Sequence, residues 1–206
     1  YLSWIRRVNL LGKIALTNDS TSQEHLRSNV KSVAKGQRAL IGKVAMDNAD
    51  ECPDYYRDES VADAVAGTVG LIEHIRNHPD NAENRVLPVV TPRFIPSCTD
   101  ELLTELGAIA GAHDCHVQTH CSESDWEHGY VKARHGVSDT ESLDRFGLLR
   151  RGSVLGHANF ISASDMERIR LREAAVAGGL LVVSTLLIVW LAPELLARRG
   201  GYLHLG

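Results

Sequence analysis

The chain has 206 residues, of which 44% are hydrophobic and 23% are charged, and its net charge at pH 7 is −4. These values are close to those of ordinary globular proteins, so the chain can form a sizeable core. No run of lysine and arginine marks a nucleic-acid surface, which favours a small molecule as the partner.

Cysteine use and the first residues indicate the cellular compartment. The four cysteines contain no CxxC pair, which is typical of reduced thiols in a cytoplasmic protein. The first apolar residues are interrupted by Arg6, Arg7 and Lys13 and are followed by no small-residue cleavage site, so they do not form a secretory signal. The chain begins with Tyr1 rather than Met, and we expect an internal piece of a longer protein.

The middle of the chain alternates between strand-like and helical stretches. Short runs rich in apolar and β-branched residues occur at 39–46, 85–90, 115–119 and 153–157. Apolar residues spaced by three and four positions follow the first run and predict a helix over 61–75. Thr99 is placed as the N-cap of a helix after the second run.

Helix signals also follow the third and fourth runs. Residues 124–135 are predicted to be a helix that ends at Gly136, and Ser138-x-x-Glu141 is a capping box that opens a shorter helix through Phe146. Ser162-x-x-Asp165 precedes a further helical stretch after the fourth run.

This alternation predicts an α/β fold with parallel strands and crossover helices. No glycine-rich dinucleotide fingerprint follows a strand, which favours a (β/α)8 TIM-type barrel over a doubly wound sheet. A complete barrel needs about 250 residues, so we expect a partial barrel of roughly five strands over residues 35–170. Residues 1–34 are then a divergent N-terminal segment, and residues 171–206 are an apolar, divergent tail.

The tail contains 20 residues without a charge, 174–193, flanked by arginines. That length is enough to span a bilayer. Its glycines, its Ser184 and Thr185, and its β-branched residues also suit a buried strand. We favour the strand, because the rest of the chain is typical of a cytoplasmic protein.

Titratable side chains stand at the predicted C-terminal strand ends: Asp47, Arg93, His120 with Glu123, and His157. Functional side chains of TIM-type barrels lie at these ends. A purely structural protein has no reason to repeat such groups there.

The segment His116-Val117-Gln118-Thr119-His120 is predicted to be a strand, since Val117 stands where a zincin helix has Glu. His116, Gln118 and His120 then share the barrel-facing side. His120, at the strand's end, is placed to bind a metal through a ring nitrogen. Glu123 follows on the loop, where a general acid and base must stand.

His157 follows His120 by about one strand–helix unit. Neighbouring parallel strands therefore bring both imidazoles to the same mouth of the barrel. Two imidazoles suit zinc, although catalytic zinc sites usually have three or more protein ligands.

Four segments together resemble the guanine deaminase branch of the amidohydrolase superfamily: Gly36-Gln37-Arg38-Ala39, Thr91-Pro92-Arg93-Phe94, His120-x-Ser122-Glu123 and Gly156-His157. The similarity covers about residues 35–169. It implies a Zn²⁺-dependent hydrolase of purine catabolism that converts guanine to xanthine and ammonia. It also implies a cytoplasmic homodimer when the protein is intact.

The resemblance implies that His120 and His157 are zinc ligands and that Glu123 moves protons between the attacking water and the leaving amine. It implies that Arg93 holds the purine through hydrogen bonds and that Phe94 positions the ring. His116 and Gln118 either line the pocket or only satisfy each other, and we assign Gln118 to substrate binding.

The sequence departs from this family at both ends. The family's HxH ligand pair should precede Gly36, where His25 is the only histidine, and its late Asp ligand should follow Ile169, where none appears. We expect both ends to be truncated or mistranslated. The expected zinc shell is incomplete, so the alternatives are an amidohydrolase for another amino-substituted ring and a non-catalytic relative tethered to a membrane by 174–193.

Other polar and sulfur-bearing residues near the strand ends have structural explanations. Asp47 is predicted to cap a turn or helix, and Cys98 and Cys121 to pack in the core. The acidic residues of the loop after the first strand are predicted to be solvated: Asp50, Glu51, Asp54 and Asp58. We also expect a partial barrel to associate through its open strand edges.

Overall fold

The computed structural model describes residues 38–176, and the predictions for residues 1–34, for His25 and for the tail beyond 176 lie outside this range. Within it, the strands are β1 (Ala39–Ile41), β2 (Val44–Ala45), β3 (Val86–Pro92), β4 (His116–Cys121), β5 (Val154–His157) and β6 (Ala175–Val176). The α-helices are α1 (Val61–Asn77), α2 (Asp100–Ala112), α3 (Asp125–His135), α4 (Asp139–Arg145) and α5 (Ala163–Leu171).

The strands form one parallel sheet with the order β1-β3-β4-β5-β6, and β2 lies beside β3. Helices connect successive parallel strands, as crossover units require. The predicted α/β fold, a partial TIM-type barrel, is confirmed. No helix within residues 38–176 is long and apolar enough to cross a membrane.

The single strand predicted over 39–46 is divided into β1 and β2 at Gly42 and Lys43. Two features of the neighbouring β3 explain the break. Pro88 lies opposite Ile41 and has no N–H for the ladder. Gly42 is also pressed against β3, since a Cβ there would lie 2.2 Å from Thr91 Oγ1.

One hydrophobic cluster joins the sheet to the helices on its outer face. It contains Val90, Val117 and Leu155 from three neighbouring strands, and the apolar stripe of α2 packs into the same cluster. Burial of this stripe is the main reason why α2 is stable, because removing apolar surface from water drives packing of an amphipathic helix.

Local signals set the helix ends much as predicted. Thr99 Oγ1 accepts a hydrogen bond from the N–H of Leu102 at 3.2 Å and caps α2. Ser124 caps α3 in the same way, and α3 ends at Gly136, which adopts a φ of 73°. A left-handed residue at this position suits glycine because it has no Cβ.

The capping box predicted at Ser138 and Glu141 is formed only in part. Ser138 accepts from the N–H of Glu141, but the Glu141 carboxylate pairs with Arg145 and Arg168 instead of returning to Ser138. The reciprocal box is complete at Ser162 and Asp165, at the start of α5.

Asp58 overturns the prediction that it belongs to a solvated loop. It is only 8% exposed, whereas Asp50, Glu51 and Asp54 are exposed as predicted. Its carboxylate lies 2.5 Å from Lys43 Nζ and accepts a hydrogen bond from the N–H of Met46 at 3.0 Å. Asp58 thus connects the loop to the two residues that flank β2. The acidic stretch of sequence gave no sign of this buried ion pair.

Candidate active site

His120 and His157 lie side by side where β4 and β5 end. The register pairs His120 with Gly156 and Cys121 with His157, so the two histidines are one step apart on neighbouring strands. Their ring centroids are 5.3 Å apart, and the ring planes differ by 30°. The two imidazoles that the sequence predicted to meet do so in this structure.

One ring nitrogen of His120 is hydrogen-bonded to the backbone that follows the preceding strand. Nδ1 lies 3.0 Å from the carbonyl oxygen of Arg93, which also accepts the backbone N–H of His120 at 3.0 Å. A carbonyl oxygen can only accept, so Nδ1 carries the proton. In the neutral ring, Nε2 then keeps its lone pair, which is the arrangement found in metal-binding histidines.

Glu123 reaches the same place from the loop after β4. Its Oε1 lies 3.5 Å from Nε2 of His157, and its side chain is 54% exposed. Within the part of the chain that the structure describes, this is the only close polar partner of the carboxylate. The carboxylate is therefore accessible to a molecule bound at this mouth.

The backbone at this mouth adopts rarely populated conformations. Ser122, His157 and Ala158 have φ values of 50°, 65° and 53°, in the left-handed region that disfavours residues with a Cβ. The N–H of Ala158 donates to the carbonyl of Cys121 at 2.8 Å, which ties the two strand ends together. Strained residues of this kind cluster at functional sites.

Two carboxylates that are almost completely buried hold the turn after β4. Glu127, 1% exposed, accepts the N–H of Glu123 at 2.8 Å. Asp139 accepts the N–H of Ser122 at 3.3 Å with one oxygen and contacts Nδ1 of His128 at 3.1 Å with the other. The carboxyl groups of Glu127 in α3 and Asp139 in α4 thus lie directly behind the turn.

Burial raises the pKa of Glu127 to about 7, and the neighbouring carboxylates of Asp139 and Glu123 add to the rise, against the effect of the N–H of Glu123. One oxygen, Oε1, has no hydrogen-bond partner within residues 38–176. Desolvation disfavours a carboxylate, so Glu127 changes its charge near neutral pH.

Arg93 and Phe94 line the neighbouring edge of the site. The guanidinium lies over the rings of Tyr56 and Phe94, at 5.7 Å and 5.4 Å from their centroids. It forms no ion pair with a carboxylate of the described residues. Phe94 also lies 6.4 Å from Trp126, which is 53% exposed and contacts Tyr130 at 5.5 Å.

Gln118 and His116 lie further down β4 and do not satisfy each other. Gln118 is buried, and its Oε1 has no hydrogen-bond partner within the described range. His116 instead contacts the carbonyl oxygen of Gly152 at 3.2 Å. It is four residues from His120, about 13 Å along an extended strand, so it lies at the other end of β4 and lines no pocket with His120.

Three residues near the site have the structural roles expected for them. The Asp47 carboxylate accepts the N–H of Thr99 at 2.7 Å and its hydroxyl at 2.6 Å, which anchors the start of α2. Cys98 and Cys121 are fully buried, and burial raises the pKa of each thiol to about 12. Neutral, buried thiols of this kind pack as small apolar groups.

The donor set suits a divalent transition metal in part. Two imidazoles and an adjacent carboxylate are ligand types that zinc accepts, and the tautomer of His120 presents Nε2. No group of three or more His, Cys, Asp or Glu side chains within 38–176 is arranged to hold a metal ion. The described residues therefore supply only part of a shell.

Sequence reasoning missed Glu127, Asp139 and Asn159. Glu127 is four residues after Glu123, a spacing that also suits an ordinary acidic first turn of a helix. Asn159 is two residues after His157, where its side chain donates to the carbonyl of Glu123 at 2.9 Å. Each role depends on packing between distant segments, which a single sequence does not display.

The chain is similar in sequence and in structure to guanine deaminases. Guanine deaminases of Mus musculus and Homo sapiens are 36% and 35% identical to the chain over 146 residues, which is 69% of this chain and 31% of each relative. The chain thus spans about a third of the length of these relatives. The guanine deaminase of C. acetobutylicum, solved with guanine in its active site, is 30% identical, with a TM-score of 0.65 over 74% of this chain and 35% of that one.

A more distant neighbour has the same fold. The atrazine chlorohydrolase of Arthrobacter aurescens, solved as a zinc complex, has a TM-score of 0.66 at 18% identity, over 78% of this chain and 36% of that one. The sequence profile of the amidohydrolase family matches residues 14–197 of this chain, which is most of its length. The chain belongs to the amidohydrolase family.

Proposed function

We propose that the protein containing this chain hydrolyses guanine to xanthine and ammonia with Zn²⁺ as its cofactor. The observation that carries the proposal is the meeting of His120, His157 and Glu123 at two neighbouring strand ends, with ring centroids 5.3 Å apart and a carboxylate 3.5 Å from an imidazole nitrogen. The similarity to guanine deaminases supports the substrate.

His120 and His157 are the residues that would hold zinc. Support comes from His120, whose Nδ1 is occupied by the Arg93 carbonyl while Nε2 stays available. Bound zinc supplies Lewis acidity, which makes water a nucleophile near neutral pH. Other ligands of a catalytic site must come from outside the described residues.

Glu123 is proposed to move the protons. Water adds its oxygen to the amino-bearing carbon of guanine, and the carboxylate takes the proton that this water loses. It then delivers the proton to the amino nitrogen, the carbon–nitrogen bond breaks, and ammonia leaves. The exposed carboxylate, with a single close polar partner in the described structure, suits this exchange.

Arg93, Phe94 and Gln118 are proposed to bind the purine. The Arg93 guanidinium has N–H donors that are not taken by a carboxylate of the described residues, and these match the ring oxygen and nitrogen acceptors of guanine. The unpartnered Oε1 of Gln118 can accept an N–H of the ring. Phe94 offers an apolar surface for the ring face.

The compartment, the oligomeric state and the partners of the enzyme are part of the same proposal. We expect a cytoplasmic protein and a homodimer, with a small-molecule substrate and no nucleic-acid partner. Sedimentation velocity of the natural-length protein and fractionation of cells test these two expectations directly.

The activity test uses the longest natural protein that contains this chain, loaded with zinc. Guanine loss and xanthine formation are followed beside adenine, a pterin and a triazine. We expect guanine to be preferred, and Glu123→Gln to lower kcat by roughly 10²–10⁴-fold, the usual contribution of a general acid and base. Asp125→Asn, which changes an exposed acid in the first turn of α3, is the control. Preference for another amine would overturn the substrate assignment.

A further inference from the structure

The backbone of Glu123 is held on both sides by side chains that the reaction itself does not use. Its N–H donates to Glu127 Oε2 at 2.8 Å, and its carbonyl accepts from Asn159 Nδ2 at 2.9 Å. Glu127 belongs to the first turn of α3, and Asn159 belongs to the loop after β5. Both peptide groups of Glu123 are thus fixed to neighbouring elements.

The conformation of the residue before Glu123 shows why the turn needs these hydrogen bonds. Ser122 has a φ of 50°, which is unfavourable for a residue with a Cβ. Its N–H donates to Asp139 and its carbonyl accepts the N–H of Asn159 at 3.0 Å. A turn with this conformation persists only when its surroundings determine it.

The side chain of Glu123, by contrast, has little to order it. It is 54% exposed, and its one close polar contact within residues 38–176 is with His157. Proton transfer requires the carboxylate to stand within hydrogen-bond reach of the reacting atoms. The side-chain contacts of Glu123 do not fix the position of its carboxylate. The position must therefore be fixed through the backbone of Glu123.

We propose that Glu127 and Asn159 are positioning residues that aim the Glu123 carboxylate, an inference that rests on the proposed function. The hydrogen bonds that their side chains make with Glu123 go to its backbone, so they act on the carboxylate through that backbone. Glu127 is suited to this role because it is buried, and its Oε2 is the acceptor that the Glu123 N–H uses. A carboxylate or an amide accepts this bond, whereas an alkyl side chain does not.

The kinetic test uses Glu127→Ala, Glu127→Gln and Asn159→Ala in the natural-length, zinc-loaded protein. We expect Glu127→Ala and Asn159→Ala to lower kcat by about 10–100-fold, comparable to the loss of supporting hydrogen bonds at metal sites, with KM for guanine changed less than about 3-fold. Glu127→Gln should restore kcat to within about 3-fold of wild type, because its amide oxygen accepts the same bond. Asp125→Ala, on the exposed side of α3, is the control.

Amide hydrogen exchange tests the hold without the reaction. Exchange at the Glu123 amide should be about 10-fold faster or more in Glu127→Ala and unchanged in Glu127→Gln, since exchange reports local loss of a hydrogen bond. Asn159 is exposed, so its variant tests the proposal even where Glu127→Ala does not fold.

Wild-type kcat in Glu127→Ala and Asn159→Ala, or equal losses in Glu127→Ala and Glu127→Gln, would overturn the positioning role. Absence of guanine deamination in the wild-type protein would instead overturn the proposed function. In that case, an unchanged exchange rate at the Glu123 amide in Glu127→Ala would still refute the proposal that Glu127 fixes the Glu123 backbone. A faster rate would support it.

Discussion

Among single residues, Arg93 contacts three neighbours, one through its backbone and two through its side chain. Its carbonyl fixes the tautomer of His120, and its guanidinium lies over Phe94 and Tyr56. One residue at the end of β3 therefore connects the proposed metal ligand to the proposed substrate surface. A hydrogen bond of this kind fixes the orientation of a metal-binding imidazole.

Replacement of either proposed histidine ligand should cause a measurable loss of zinc. We expect His120→Asn and His157→Asn each to weaken zinc affinity at least about 100-fold, since loss of a supporting contact alone weakens it roughly 10–100-fold. Zinc content per chain, measured by mass spectrometry after dialysis, checks this. His116→Asn, at the other end of β4, should keep its zinc, and retention of full zinc by the His120 variant would refute its role.

The raised pKa of Glu127 predicts that the free energy of unfolding depends on pH. Its pKa is raised from 4.5 to about 7 by burial first and by nearby carboxylates second, so the folded state binds the proton more tightly than the unfolded chain. Its contribution to the free energy of unfolding is complete below about pH 4.5. This contribution is lost as the pH rises to about 7. The free energy lost is on the order of 3 kcal/mol.

Urea unfolding of wild type and Glu127→Gln across this pH range checks the prediction. The variant does not titrate at this position, so the difference in free energy of unfolding should shift in its favour as the pH rises. Groups elsewhere titrate equally in both proteins and cancel. Parallel profiles would mean that Glu127 stays ionised in the fold.

At the scale of elements, two helical glycines have opposite surroundings. A Cβ at Gly107 of α2 would lie 1.8 Å from the carbonyl oxygen of Phe146, whereas a Cβ at Gly70 of α1 would have no atom within 4 Å. We expect Gly107→Ala to destabilise the fold by roughly 1–3 kcal/mol, because α2 must move away from the backbone that follows α4. Gly70→Ala should stabilise it by about 0.5–1 kcal/mol through helix propensity.

The pair is its own control, since the same methyl group is added to two helices. Free energies of unfolding in urea at fixed pH give both values. Equal effects at the two positions would show that α2 does not lie as close to residues 146 and 147 as described.

Elements were predictable from sequence where their signals are local. The caps at Thr99 and Ser124 and the end of α3 at Gly136 follow from residue types within one turn. The break between β1 and β2 was not predictable, because its causes lie in β3, almost 50 residues away in sequence. The same holds for the site: strand ends predicted the histidines and Glu123, but burial of Asp58 and Glu127 depends on which helices and loops pack against them.

At the scale of the whole molecule, the described sheet is an open part of a barrel. Within residues 38–176, β1 pairs with β3 on one side and with no strand on the other. An edge strand of this kind presents unpaired N–H and C=O groups to any other chain. In a complete barrel, closure would remove that edge.

We therefore expect a polypeptide of these 206 residues, expressed alone, to associate in a concentration-dependent way. Sedimentation velocity over a range of concentrations measures this, with the longest natural protein that contains the chain as the control. If that control closes the sheet, it should sediment as one discrete species under the same buffer. A sharp monomer of the 206-residue polypeptide with cooperative urea unfolding would contradict the prediction, and would mean that residues outside 38–176 cover the edge of β1.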